Sequence, residues 1–164
     1  MRIGFIGLGN VGFKLANSLI SAGHNIYVHD LEKNNANDLI KSGAEWIKSP
    51  KELATISDIA ITCLPSPTAV ADVVEGPNGL VHGMSEGKVW IEMSTTDSKE
   101  MLRLGTIMEK IGVHCCEAPV SGGCHRAATG NIAILVGGSR TAFDLAFPAL
   151  KAMGYQILHV GELG

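Results

Sequence analysis

Residues 2–12 read RIGFIGLGNVG, in which a short apolar run leads directly into a glycine-rich pattern. The run Arg2–Ile6 has the length and the apolar character of a buried β-strand. From residue 10 to residue 22, apolar side chains recur at Val11, Leu15 and Leu19, the spacing of an amphipathic helix. A strand, a glycine-rich turn and a helix in this order predict the first unit of an α/β fold.

The glycine-rich turn fits the pattern GxGxxG and consists of Gly7-Leu8-Gly9-Asn10-Val11-Gly12. In a chain with 20 glycines this spacing is weak evidence alone, but its place between a predicted strand and a predicted helix strengthens it. Gly7 permits a tight turn, Gly9 lets a pyrophosphate approach the backbone, and Gly12 lets the helix lie close to the strand. Because free N–H groups at the start of a helix attract phosphate, all six residues are candidates for binding a dinucleotide.

Asp30 follows the second predicted strand, Asn25–His29, and lies at the distance from the turn expected of an acidic residue that binds ribose. Its carboxylate would accept hydrogen bonds from the adenosine ribose and repel a 2′-phosphate. No arginine follows it, which favours NAD over NADP, although Lys33 leaves NADP open. A glycine turn without a ligand, a flavin or other adenine dinucleotide, and S-adenosylmethionine are weaker alternatives.

The rest of the chain continues the alternation of strand and helix. Several strands, such as the one within residues 59–64, are apolar on both faces, which is typical of a parallel sheet covered by helices on both sides. The other predicted strands lie near residues 89–92, 113–116, 131–136 and 156–160, and the other predicted helices near 32–42, 51–55, 67–74, 97–111 and 139–153. The sequence therefore predicts one domain, residues 1–164, of the Rossmann-type doubly wound α/β class with a mostly parallel sheet.

Composition gives no sign of a nucleic-acid or membrane partner. The chain is 46% hydrophobic and 18% charged, has a net charge of −3 and contains no lysine- or arginine-rich run. No apolar run approaches the length of roughly eighteen residues that a membrane span needs. The start, MRIGFIGLGN, lacks the long apolar core and the cleavage site of a secretory signal. We therefore expect a cytoplasmic protein, or one of the mitochondrial matrix if a transit peptide has been removed.

The cysteines are Cys63, Cys115, Cys116 and Cys124, and none forms a CxxC pair. Their spacing does not resemble a zinc site, so no metal is expected. We expect buried, reduced thiols that behave as small apolar side chains.

Six segments together resemble the β-hydroxyacid dehydrogenases, the family of 3-hydroxyisobutyrate dehydrogenase and tartronate semialdehyde reductase. They are GFIGLGNVG (4–12), SAGHNIYVHD (21–30), CLPSPTAV (63–70), EMSTTD (92–97), EAPVSGG (117–123) and ATGNIAILVGG (128–138). They cover essentially the whole chain in the family's order. The resemblance implies an N-terminal NAD-binding domain of an enzyme that transfers a hydride between NAD and a small β-hydroxy acid.

The resemblance also implies roles for individual residues. Leu64, Pro65, Ala69 and Thr95 would contact the cofactor, with Thr95 beside the nicotinamide ribose. Three consecutive residues, Ser121, Gly122 and Gly123, would bind the substrate carboxylate. A serine hydroxyl and two unhindered backbone N–H groups are suited to an anion; from the residues alone, a glycine loop that starts a helix is an equal alternative.

The family's catalytic lysine follows a pattern resembling GxxGxGxxxK, of which residues 161–164 match only the opening. We therefore expect no catalytic residue within the chain, which resembles a truncated enzyme without the family's C-terminal helical domain and without appreciable turnover. The resemblance implies a homo-oligomer for the full-length protein. A non-catalytic nucleotide-binding module and a relative of 6-phosphogluconate dehydrogenase are the alternatives.

Two further side chains, His125 and Arg126, follow the predicted carboxylate-binding loop and are candidates for tuning it. We assign His29 to packing or to the adenine side of the site, because a neutral imidazole is the default for a histidine without a motif.

Overall fold

Strands and helices alternate along the whole chain in the computed structural model, which describes residues 1–164. The strands are β1 (Arg2–Ile6), β2 (Asn25–His29), β3 (Glu45–Trp46), β4 (Ile59–Thr62), β5 (Val89–Glu92), β6 (His114–Glu117), β7 (Val120–Ser121), β8 (Ala133–Gly137) and β9 (Gln156–Gly161). The helices are α1 (Gly12–Ser21), α2 (Asn37–Lys41), α3 (Pro50–Ile56), α4 (Pro67–Glu75), α5 (Ser98–Glu109), α6 (Gly123–Ala128) and α7 (Arg140–Met153). None of the helices has both the length and the apolar character needed to cross a bilayer.

All nine strands belong to one sheet, in the order β3-β2-β1-β4-β5-β6-β8-β7, with β9 paired to β8. The strands from β3 to β6 are mutually parallel, whereas β8 runs antiparallel to β6 and β7. The chain leaves β1 first toward β2 and later toward β4, so the direction of winding reverses between β1 and β4. In open α/β sheets a ligand binds outside the carboxyl ends of the strands at such a reversal. The predicted Rossmann-type class is confirmed.

Helices cover both faces of the sheet. One apolar core of 28 buried residues lies under α1, α2, α6 and α7, and a second core of 14 lies under α3, α4 and α5. Leu15 and Leu19 of α1, which the helical spacing singled out, are fully buried in the larger core. Each such side chain contributes about 1.5–3 kcal/mol through the apolar surface it removes from water. The carboxyl ends of the strands, where a ligand is expected to bind, are therefore held between two packed apolar cores.

Several elements differ from the sequence prediction. Strands β3 and β7, of two residues each, were not predicted, and the short helix α6 agrees with the alternative of a glycine loop that starts a helix. Residues 32–42 form a 3-10 turn (Lys33–Ala36) followed by α2 rather than one helix. The prediction of buried thiols is wrong for Cys124, which is exposed because it lies near the start of α6 on the surface; Cys115 and Cys116 are buried and Cys63 is half-buried.

Candidate functional site

A cleft of about 700 Å³ opens at the carboxyl ends of β1, β2, β4 and β5, where the winding reverses. It brings together residues that lie far apart in the sequence. Of the predicted cofactor residues, those that line it are Gly7, Gly9, Asn10, Val11, Gly12, Asp30, Leu64, Pro65, Ala69 and Thr95. Leu8 does not line it, because its side chain is buried in the core. The cleft also includes Val73 of α4 and Ser94, which sequence reasoning did not single out.

The glycines of the turn between β1 and α1 differ in what surrounds them. Gly7 has φ +94°, and a side chain there would overlap the carbonyl oxygen of Cys63. A side chain at Gly12 would overlap the carbonyl oxygen of Gly7, so this glycine permits the close approach of helix and strand. A Cβ at Gly9 would meet nothing within 4 Å and would lie in the open cleft. The turn therefore leaves space at the position where the motif predicts a pyrophosphate.

Helix α1 begins without a side-chain cap, unlike α3, α4, α5 and α7, whose first N–H groups are capped by a serine or an aspartate. An uncapped helix start presents free N–H groups and the positive end of the helix dipole. Because this start lies in the cleft, the turn and the helix together fit a phosphate group.

Asp30 connects the end of β2 to the glycine turn. One carboxylate oxygen accepts a hydrogen bond from the backbone N–H of Leu8 (2.6 Å), and the other accepts from the N–H of Glu32 (2.8 Å) and the amide of Asn35 (3.2 Å). Lys33, the residue that left NADP open, has its ammonium group 5.8 Å from the centre of the Trp46 ring. Asp30 is therefore held in place by three donors, and Glu32, which also lines the cleft, is a second carboxylate at this end.

A buried carboxylate at the end of β5 was not predicted. The side chain of Glu92 is fully buried, accepts a hydrogen bond from the backbone N–H of Ser94 (2.6 Å) and a short one from the hydroxyl of Thr62. Burial raises the pKa of Glu92 to about 7, and the hydrogen bonds from Ser94 and Thr62 oppose that rise. The only signal in the sequence is a charged residue at the end of an otherwise apolar strand.

The thiol of Cys63 lies on the same side of the cleft. Burial is the main cause that raises the pKa of Cys63 to about 12, and the nearby charge of Glu92 adds to it. A thiol with such a pKa is protonated near neutral pH and is a poor nucleophile. The cleft thus contains no activated cysteine.

The predicted carboxylate-binding residues Ser121, Gly122 and Gly123 are exposed and do not line the cleft, whose nearest member along the chain is Val120. Gly122 and Gly123 have φ +128° and +73°, conformations that favour glycine. The stem of Arg126 lies over this loop, since a Cβ at Gly122 would be 2.7 Å from its Cδ.

Arg126 is also the chain's one arginine without a carboxylate partner. The guanidinium groups of Arg2, Arg103 and Arg140 each form an ion pair with an aspartate or a glutamate. The guanidinium of Arg126 forms none and is exposed next to the glycine loop. The loop therefore carries a positive charge available to an anion.

His29 lines the cleft, but its ring is occupied by structural contacts. Its Nδ1 is 2.9 Å from the carbonyl oxygen of Ile47, and its ring centre is 5.4 Å from that of Trp46. These contacts agree with the interpretation of His29 as a packing residue.

Comparisons with known proteins agree with this geometry. The family model described as the NAD binding domain of 6-phosphogluconate dehydrogenase matches residues 2–161. The "Probable 3-hydroxyisobutyrate dehydrogenase, mitochondrial" of Dictyostelium discoideum is 38% identical over 99% of this chain and 50% of its own length. The "Cytokine-like nuclear factor N-PAC" of Homo sapiens is 32% identical over 99% of this chain and 30% of its own length. The chain thus spans half or less of these two relatives.

Solved structures of similar fold also match nearly the whole chain and about half of their own length. A structure described as "Psf3 in complex with NADP+ and 2-OPP" superposes with a TM-score of 0.94 at 28% identity, covering 98% of this chain and 57% of that one. Mycobacterium tuberculosis 3-hydroxyisobutyrate dehydrogenase with L-serine superposes with a TM-score of 0.92 at 28% identity, covering 99% and 55%.

Proposed function

The chain belongs to the β-hydroxyacid dehydrogenase family as its N-terminal NAD-binding domain, and from this premise we propose that it serves an enzyme that oxidises a small β-hydroxy acid of the 3-hydroxyisobutyrate type or, in reverse, reduces the corresponding carbonyl compound. The observation that carries the proposal is the cleft at the reversal of winding, where the glycine turn, Asp30 and the loops after β4 and β5 face one another. These are the segments in which the resemblance places cofactor contacts.

We assign the two ends of the cleft to the two halves of NAD. The glycine turn, residues 7–12, would hold the pyrophosphate, and Asp30 would bind the adenosine ribose. Leu64, Pro65, Ala69 and Thr95 would contact the nicotinamide half. When bound, the cofactor supplies the hydride acceptor or donor, and the chain would hold its nicotinamide ring in a fixed orientation.

The preference for NAD over NADP rests on charge. The Asp30 carboxylate would lie where NADP carries its 2′-phosphate, although the similar structure described as a complex with NADP+ indicates that the fold can also hold that cofactor. Neither Lys33, which lies over Trp46, nor any arginine lines the cleft to neutralise a second phosphate.

For the substrate, we propose that Ser121, Gly122 and Gly123 bind the carboxylate with Arg126 beside them. The exposed loop, its two positive-φ glycines and the unpaired guanidinium support this role. No lysine lines the cleft, so we expect the proton-transfer group, the domain that completes the pocket and the contacts of a homo-oligomer to come from the part that the relatives have in addition. We propose a cytoplasmic or mitochondrial-matrix location.

Calorimetric titration of the chain with 3-hydroxyisobutyrate and L-serine, in the presence of saturating NADH, tests the substrate proposal. We expect weak, saturable binding that Arg126→Met and Ser121→Ala each reduce severalfold, while Arg140→Met, which removes an exposed arginine paired with Asp144 of α7, leaves it unchanged. Equal binding by all four proteins would contradict it. When NAD+ is supplied in place of NADH, little or no oxidation of the hydroxy acid by the chain alone is expected.

A second candidate function is a nucleotide-binding module without catalysis. The human relative named as a nuclear factor is nearly as similar to this chain as the dehydrogenases are. Robust turnover of a β-hydroxy acid by a longer protein containing this domain would exclude that alternative.

A further inference from the structure

Glu92 is an ionisable side chain in the interior of the protein, where a charge is energetically unfavourable. Its carboxyl group has no contact with solvent and does not line the cleft. Taking an isolated carboxylate out of water is strongly unfavourable unless specific donors compensate it. The compensation here comes from a hydrogen-bond network that reaches into both loops at one end of the cleft.

The directions of the hydrogen bonds in this network are determined by its chemistry. The indole N–H of Trp90 can only donate, and it donates to the hydroxyl oxygen of Thr62 (2.9 Å). The hydroxyl hydrogen of Thr62 is then free to be donated to Glu92. The backbone N–H of Ser94 is a second obligatory donor to the same carboxyl group. Both carboxyl oxygens are thus acceptors, which suits the ionised form.

The network continues from Ser94 to the loop after β4. The hydroxyl of Ser94 accepts a hydrogen bond from the backbone N–H of Leu64 (2.7 Å). Residues 63–65 and 93–95 therefore share one anchor, and both segments line the cleft. These loops follow β4 and β5, on the far side of the reversal of winding from Asp30 and the glycine turn. In a doubly wound fold each half binds one mononucleotide, so these loops belong to the nicotinamide half.

We propose that Glu92 is a positioning residue that holds the loops after β4 and β5 in the shape that binds the nicotinamide half of the cofactor, acting through Ser94 and Leu64. The proposal rests on the proposed cofactor function. In this proposal Glu92 does not contact the cofactor itself. It fixes the positions of the residues that do.

Protonation of Glu92 weakens this anchor. A protonated carboxyl group has one oxygen that must donate, and its neighbours Thr62 and Ser94 already donate to it. Because the pKa of Glu92 is raised to about 7, the fraction of molecules with an ionised Glu92, and hence with both loops anchored, increases as the pH rises through neutrality. The affinity for NADH should therefore rise over the same interval, whereas a ligand confined to the other half should not follow it.

The other titratable groups on the neighbouring elements are Cys63, Glu117 and a cluster on the covering helices. The Cys63 thiol, with a pKa raised to about 12, stays neutral, and Glu117, the register partner on β6, accepts a hydrogen bond from the backbone N–H of Gly164 (2.6 Å). On the covering helices α4 and α5, Glu75, Glu100 and Arg103 form a charged cluster at the surface. Arg103 lowers the pKa of both glutamates, so they remain ionised across neutral pH.

The experiment compares NADH with ADP-ribose, which lacks the nicotinamide half, by calorimetric titration of the chain and of Glu92→Gln. For the unmodified chain, NADH affinity should increase about threefold or more between about pH 6 and about pH 8, while ADP-ribose affinity stays within about twofold. At about pH 8, Glu92→Gln should bind NADH about tenfold more weakly, bind ADP-ribose normally and lose the pH dependence. Ser57→Ala is the control for loss of a buried hydrogen bond, because Ser57 is buried before the amino end of β4, away from the cleft at the carboxyl ends, and its hydroxyl donates to the carbonyl of Leu53 (2.7 Å).

A Glu92→Gln substitution that lowers the affinities for both ligands equally, or changes neither, overturns the proposal. So does a pH profile of the unmodified chain that is the same for NADH and ADP-ribose, a measurement that requires no variant to fold. If neither ligand binds the unmodified chain, the proposed cofactor function fails first and this inference with it.

Discussion

Asp30 illustrates how one side chain serves both the fold and the ligand site. Its carboxylate accepts hydrogen bonds from a backbone N–H of the glycine turn and from two donors that follow β2. Its position could be predicted from the sequence because it follows a strand at a fixed distance from the turn. The hydrogen bond to Leu8 could not, since it depends on how closely two adjacent parallel strands end.

We expect Asp30→Ser to weaken NADH binding by about 1–2 kcal/mol, the scale of a lost charge-assisted hydrogen bond. Affinity for NADPH should fall less or rise, because the repelling charge is gone. Calorimetry with both cofactors measures the two effects. Asp38→Asn, which removes an exposed aspartate paired with Lys41, is the control for a simple change in net charge. Identical losses in the two variants would refute the assignment of Asp30.

Glu92 should also reduce the stability of the fold at high pH. Its pKa rises from 4.5 to about 7 on folding, so the folded state holds a proton that the unfolded state has released. The contribution of this bound proton to the free energy of unfolding is complete below about pH 4.5. It is lost as the pH rises through about 7, and its total is about 3 kcal/mol.

The difference in unfolding free energy between Glu92→Gln and the unmodified chain should therefore shift in favour of the variant over this interval. Urea denaturation at several pH values measures it. A difference that does not change with pH would mean that the carboxyl group of Glu92 is not protonated in the folded state near neutrality.

At the scale of elements, the unit formed by β1, the glycine turn and α1 is the part that the sequence predicts best. Its signals, an apolar run, three spaced glycines and a helical period, are all local and lie within residues 2–21. The strands β3 and β7 are the opposite case. Two residues such as Glu45–Trp46 carry no periodicity, and their pairing depends on the strands that lie beside them. Helix α6 begins at the second of two positive-φ glycines and has one buried residue, Ala127, so it leaves no apolar stripe to detect.

Two glycines of the turn separate folding from binding. Gly12→Ala should destabilise the chain by about 1–3 kcal/mol or more, the scale of an overpacked core, because its methyl group would overlap the Gly7 carbonyl. Gly9→Ala should leave the melting temperature nearly unchanged, because the methyl group would lie in open space. It should nevertheless weaken NADH binding about tenfold or more by filling the space for the pyrophosphate. Thermal unfolding and NADH titration of both variants check this, and normal NADH binding by a folded Gly9→Ala chain would move the pyrophosphate elsewhere.

At the scale of the whole molecule, the order of the strands assembles a site from segments spread over the sequence. The reversal between β1 and β4 places the glycine turn and Asp30 on one side of the cleft and the loops after β4 and β5 on the other. The alternation of strand and helix predicted this class of fold. The anchor formed by Thr62, Glu92 and Ser94 was beyond prediction, because it is created only when β4 and β5 pair in register.

The central claim is that this cleft binds NAD(H). Titration of the purified chain with NADH and with NADPH, followed by nicotinamide fluorescence and by calorimetry, tests it most directly. The account predicts saturable binding of one NADH per chain, with NADPH bound at least about tenfold more weakly, since it would bring a phosphate beside Asp30. No heat and no fluorescence change with either cofactor, or tighter binding of NADPH, would contradict it.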